Sequence, residues 1–133
     1  MNGIWDLGHG VQLSGIYFFG SGERQFVNTG VDRRDEGGTN NSELRLRANG
    51  SIVPRNSLVG TPIHKVDLRL QKRLPLVGRV AADGIFEVFN LFNHANYGSY
   101  TTNESNAQFG QPSFNANVQY FPRMVQLGFR ATF

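Results

Sequence analysis

Polar and apolar residues alternate along four stretches of this chain, and each stretch predicts a β-strand. In residues 123–133, Val125, Leu127, Phe129, Ala131 and Phe133 are apolar, whereas Gln126, Gly128, Arg130 and Thr132 are polar or small. A period of two sends successive side chains to opposite faces, so this strand has one greasy face and one wet face. Residues 11–20 repeat the pattern. Val11, Leu13, Gly15, Tyr17 and Phe19 share a face, with Gln12 and Ser14 on the other, where Ile16 and Phe18 make the far end apolar. In residues 63–73, Val66, Leu68 and Leu70 oppose Asp67, Arg69 and Gln71. In residues 80–92, Val80, Ala82, Phe86, Val88 and Phe92 share a face, and Asp83 and Glu87 lie opposite among Ala81, Ile85 and Phe89. Residues 2–7 read as the tail of a further strand, with Gly8-His9-Gly10 as a tight turn.

The connections between these strands are long, short and long. Residues 23–62 are polar and hold the run Asp35-Glu36-Gly37-Gly38-Thr39-Asn40-Asn41-Ser42, which favours turns and disorder. A small hairpin is expected inside this region, residues 44–47 against 51–53 around Asn49-Gly50. Leu74-Pro75-Leu76-Val77-Gly78 is a short turn, and residues 93–122 form a second long loop rich in Asn, Ser, Gly and Tyr. Structureless loops of this length are uncommon in compact soluble domains. Short turns at one end and long loops at the other are the habit of outer-membrane barrels. The final strand is close to the ~9–11 residues that cross a bilayer as a tilted strand. The expected fold is therefore all-β: an antiparallel transmembrane β-barrel segment of about four full strands (11–20, 63–73, 80–92 and 123–133) with two long external loops. Its strands run out, in, out and in, which leaves the C-terminus on the periplasmic side. Four strands cannot close a barrel, since the smallest use ~8. The remaining strands, and the export signal that residues 1–6 do not resemble, are expected to lie upstream of Met1.

Composition narrows the chemistry. The chain has 133 residues with 16 Gly, 11 Phe and no Cys, which excludes thiolate metal sites, thiol catalysis and disulfide scaffolds. The net charge of +3 is too small an excess to imply nucleic acid. Its distribution says more. Lys65, Arg69, Lys72, Arg73 and Arg79 crowd one segment, and the next carries Asp83 and Glu87, so the two are expected to pair across a hairpin. Arg69, Asp83, Glu87, Gln126 and Arg130 fall on the polar faces of three successive strands, with Arg69 and Arg130 flanking the acidic one. Read blandly, they are a structural ladder facing the barrel lumen. Phe86, Val88, Phe129 and Phe133 should face lipid, and Tyr17, Phe19, Phe92, Tyr97, Tyr120 and Phe121 an interfacial girdle. His9, His64 and His94 have no metal-ligand spacing. Asp32, Asp35 and Glu36 sit among Arg33 and Arg34, and a solvated charge cluster outweighs a calcium site there. The Asn-x-Ser/Thr triplets at Asn40, Asn49 and Asn103 carry no weight in a bacterial chain. No catalytic constellation can be argued, so no enzyme and no cofactor are expected.

Three stretches resemble the C-terminal end of a TonB-dependent outer-membrane receptor. Glu87-Val88-Phe89-Asn90-Leu91-Phe92-Asn93 is similar to that family's NLFN motif on the penultimate strand. Pro122-Arg123-Met124-Val125-Gln126-Leu127-Gly128 is similar to the PR-x-x-Q-L-G start of its last strand. Val66-Asp67-Leu68-Arg69-Leu70 is similar to its V-D-L strand opening, and Ser14-Gly15 to Gly20-Ser21-Gly22 also fits. The resemblance runs from about Trp5 to Phe133. It is nearest to receptors with an N-terminal carboxypeptidase-regulatory-like domain. It implies a barrel of roughly 22 strands with a plugged lumen. It also implies uptake of a scarce nutrient such as an iron-siderophore, cobalamin, a glycan or a peptide. Energy comes from the inner-membrane TonB complex, reached only through N-terminal parts that this chain does not hold. The partners implied are outer-membrane lipid, the barrel-assembly machinery, the plug domain and the rest of the barrel. Gln126, Gly128, Ala131 and Phe133 match the family's terminal assembly signal, although Ala131 is smaller than usual. Two other readings stand beside this one: a non-transporting outer-membrane adhesin or structural barrel, and a soluble β-sandwich binding module.

Overall fold

The computed structural model describes residues 1–35, 37, 44–114 and 121–133. Among them there are nine strands and no helix: β1 (Asn2–Gly8), β2 (Val11–Gly20), β3 (Arg24–Gln25), β4 (Leu58–Val59), β5 (Ile63–Pro75), β6 (Ala81–Phe89), β7 (Ser99–Tyr100), β8 (Pro112–Phe114) and β9 (Met124–Thr132). The long strands form one antiparallel sheet in the order β1-β2-β5-β6-β9. The sheet is open, with β1 and β9 as its edges. It has the four full strands expected and, as the further strand read at residues 2–7, β1, which pairs along β2 from Asn2 opposite Ile16 to Asp6 opposite Gln12.

The register carries one face through the whole sheet. Leu13 lies opposite Leu70, Leu70 opposite Phe86 and Phe86 opposite Leu127, so four strands put an apolar side chain into a single row. Gly15, Leu68, Val88 and Val125 form the next row. Phe86 stays exposed, whereas Val88 is buried between its neighbours. Leu127 and Phe129 are 78% and 75% exposed. A soluble sandwich covers such a face with a second sheet; here no second sheet among the described residues buries Leu127 and Phe129. The other face is polar, and burial on it centres on Asp83, beside Ala81.

Both short turns lie at one end of the sheet, and the strand ends at Gly20, Ile63, Phe89 and Met124 lie at the other. His9 and Gly10 have φ of 52° and 74°, the left-handed backbone of the tight β1–β2 turn. That turn is tied to β5: Lys72 Nζ donates to the His9 carbonyl at 2.5 Å and the Arg73 N–H to the Gly10 carbonyl at 2.7 Å. The β5–β6 turn starts later than expected. The strand runs on to Pro75, which still pairs with Ala81, and the reversal is closed by Leu76 N–H to Val80 O at 2.9 Å. Proline is tolerated at that position because the ladder ends there and needs no donor from it.

The two long connections, residues 21–62 and 96–118, make up a second compact unit. The expected hairpin is present. Arg47 N–H donates to Ser51 O and Val53 N–H to Arg45 O, both at 2.9 Å, around Gly50 with φ +81°. Among the described residues of this unit, Val27 and Val53 are the fully buried apolar side chains. The Arg47 guanidinium reaches Glu104 from Nε and Nη2 at 2.8 and 2.6 Å, joining the two connections. The run 35–42 lies largely outside the described residues, as do Glu36, Asn40 and Tyr120.

Candidate functional site: a charged face and a rim clamp

Five consecutive same-face positions of β5 carry Lys65, Asp67, Arg69, Gln71 and Arg73, and β6 and β9 answer them. Arg69 lies opposite Glu87, with 3.7 Å between Nη1 and Oε1, and its Nη2 donates to Gln71 at 3.2 Å. Asp83 lies between Arg73 on β5 and Arg130 on β9. Arg130 donates from Nε and Nη2 to Asp83 Oδ2 at 3.0 and 2.7 Å. Lys65 pairs with Asp67 at 2.8 Å. Asp83 is 2% exposed, and a carboxylate so placed stays ionised only beside a cation. All four ladder residues, Arg69, Asp83, Glu87 and Arg130, therefore share one face and pair across strands, and Gln126 stands opposite Glu87. The sequence put Lys65 and Arg73 in the basic segment expected to pair with the acidic strand but left them out of the ladder; the register sets Arg73 opposite Asp83. Both share the polar-face period of two within β5. Above the ladder, Ser14, Ile16, Asp67, Arg69, Glu87 and Phe89 line a groove of about 530 Å³.

The second constellation lies where β6 ends. Asn90 is 1% exposed and has φ +50°, so the strand stops at Phe89 instead of running to residue 92. Its Nδ2 donates to the carbonyls of His94 and Phe121, each at 2.9 Å, and its Oδ1 accepts from His94 N–H at 3.0 Å. The Asn90 N–H donates to Asp67 Oδ1 at 2.9 Å, and Leu91 N–H to Val66 O at 2.8 Å. Asn93 repeats the device. Its Oδ1 accepts the Arg123 N–H at 2.9 Å, and Arg123 Nη1 reaches the Leu91 carbonyl at 3.4 Å. A buried amide with both donors and its oxygen engaged is fully satisfied. These bonds hold together the start of β5, the end of β6 and the approach to β9. Apart from His94 and Phe121, the residues that make them belong to the V-D-L, NLFN and PR stretches.

Residues 48–126, more than half of the chain, match the family described as the outer membrane beta barrel domain. The chain belongs to that family. No curated protein and no solved structure matches it. An outer membrane beta barrel domain accounts for a sheet that is apolar on one face, charged on the other, and open at both edges. It also places the protein in the outer membrane.

Within this barrel domain the terminal residues divide between the faces. Gln126 and Gly128 lie with the charged row, opposite Glu87 and Ile85. Ala131 lies on the apolar face opposite Ala82, and Phe133 follows the end of β9, fully exposed. Of the residues expected as a girdle, Tyr17 and Phe19 end β2 on the apolar face, and Phe92 and Phe121 are exposed. Tyr97 is half-buried in the connection after β6. Sequence spacing gave no reason to join His64 and His94, yet their rings are 5.3 Å apart, and Tyr17 Oη lies 3.0 Å from His64 Nδ1. Among the described residues no three His, Cys, Asp or Glu side chains gather as a metal site.

Proposed function

We propose that this barrel domain is the C-terminal segment of a TonB-dependent receptor that imports a scarce nutrient across the outer membrane. The observation that carries this reading is the rim clamp. The NLFN and PR stretches, which resemble that family's motifs, bond to each other through Leu91, Asn93 and Arg123, and Asn90 holds the carbonyl of Phe121 just before the PR stretch. A resemblance whose separate pieces meet in space is stronger than the same pieces scattered over the surface.

In this reading the row of Leu70, Phe86 and Leu127 meets lipid, and the charged ladder faces a lumen occupied by the plug domain. Gln126, Gly128, Ala131 and Phe133 form the signal read by the barrel-assembly machinery, through strand pairing at the free edge of β9. The loops of the second unit contact the nutrient from outside. In this reading the TonB complex acts through N-terminal parts of the receptor. No catalysis, cofactor or nucleic acid belongs to this role.

The test is nutrient accumulation in the native cell. Disrupting this gene and, separately, the inner-membrane energy complex should abolish uptake of the same compound under scarcity. Uptake that survives loss of the energy complex, with a barrel that still assembles, would favour a non-transporting outer-membrane protein.

A further inference from the structure

The β6–β9 pairing runs from Phe89 opposite Met124 to Ala81 opposite Thr132. Two sets of polar bonds bracket it. At one end, Arg130 holds Asp83 from Nε and Nη2. At the other, the carbonyl of Phe121 is held by Asn90 and the backbone of Arg123 by Asn93. The spacing between them matches, since Asp83 to Asn90 covers as many residues as Arg123 to Arg130. Extending the register by one step from Phe89 and Met124 sets Asn90 against Arg123. Either set therefore demands the same alignment of the two strands.

The apolar face does not demand it. Val125, Leu127 and Phe129 are all exposed and similar in character, so a two-residue slip keeps greasy side chains on the greasy face. A slip of one residue is refused by the alternation itself; a slip of two is not. A further reference is needed, and the loop between β6 and β9 is too long to supply one as a tight hairpin turn does.

We infer that the Asn90–Asn93–Arg123 clamp and the Asp83–Arg130 pair are redundant register pins for the closing strand. Either one suffices to hold β9 in its alignment, and losing both frees the two-residue slip. The clamp thus acts as a conformational device rather than a ligand site, and it fixes which residues of β9 stand at each level of the sheet.

Cysteine pairs in the native outer-membrane protein read the register directly, because only facing Cα atoms permit a disulfide. Phe86→Cys with Leu127→Cys reports the observed alignment, and Phe86→Cys with Val125→Cys or Phe129→Cys reports a two-residue slip. Asn90→Ala alone and Arg130→Gln alone should cross-link as the parent does, at 127 only. The combination should lose the 127 cross-link at least several-fold, with cross-links appearing at 125 or 129. Where that combination fails to assemble although both single variants assemble, Asn93→Ala with Arg130→Gln provides a milder test, and joint failure of both double variants also supports redundant pins. Cross-linking at 127 undiminished in an assembled double variant overturns the inference. So does a single variant whose assembled fraction cross-links at 125 or 129.

Discussion

Arg47 and Glu104 lie far apart in sequence, yet two guanidinium nitrogens hold the two oxygens of one carboxylate at 2.8 and 2.6 Å. The Arg47 hydrogen bond holds the Glu104 carboxyl below its ordinary value near 4.5, against a smaller opposing effect of burial. The sign of the pH dependence follows. A carboxyl whose folded pKa is depressed stabilises the fold fully above its unfolded pKa, and that contribution fades as pH falls through the folded value. The loops of the second unit should therefore resist protease at neutral pH and open progressively below about 4.5. Glu104→Gln should cleave faster at neutral pH and lose that acid step. Matching pH profiles for parent and variant would refute the assignment.

Arg130→Leu leaves the Asp83 carboxylate with Arg73 as the cation opposite it, on a face where it is nearly inaccessible. We expect assembled, heat-modifiable protein to fall, and Asp83→Asn in the same chain to restore part of it, since a neutral amide tolerates burial better than an unpaired charge. Electrophoretic mobility with and without heating measures both. An Arg130→Leu barrel as abundant and as heat-modifiable as the parent removes the support for the ladder.

Leu127 and Gln126 are adjacent in β9 but lie on opposite faces. Leu127→Arg puts a charge where lipid is expected, at a cost of about 2–4 kcal/mol if it sits near the bilayer midplane. Gln126→Arg, opposite Glu87, should be tolerated. Equal folding free energies for the two variants in lipid vesicles would contradict the assignment of faces.

Gly60 lies against the ring of Tyr100. A Cβ there would stand 2.6 Å from the ring, and the hydroxyl is tied to Thr61 N and Oγ1, both at 2.7 Å. Gly60→Ala should destabilise the second unit by about 1–3 kcal/mol, the usual range for overpacking. Tyr100→Ala should mask most of that loss when the two are combined. The rate of proteolysis within residues 21–62 reports it.

Much of the sheet could be read from alternation. Residues 11–20 form a strand with the expected bounds, and the opposite charges on β5 and β6 do pair, Arg69 with Glu87 and Arg73 opposite Asp83. Three things were not legible. The pairing of β1 was one, because Ile4, Trp5 and Leu7 blur the alternation and leave the facing side chains of β2 unidentified. Asn90 was placed inside a strand because its neighbours are apolar; the positive φ comes from bonds to His94 and Phe121 that no local pattern encodes. The His64–His94 contact depends on the clamp folding residue 94 back toward β5. Each depends on residues distant in sequence, and periodicity reports only near neighbours.

The outer edge of β1 has no partner strand among the described residues, and the apolar face beside it is uncovered. Released into water at high concentration, a sheet of this kind is a template for its own kind: edges stack through their backbone groups while bare Leu127 and Phe129 bring surfaces together. Precipitation of such a piece from detergent-free buffer would thus reflect ordered strand addition more than loss of structure. It should begin at a threshold concentration and be delayed by a lysine placed at Ile4.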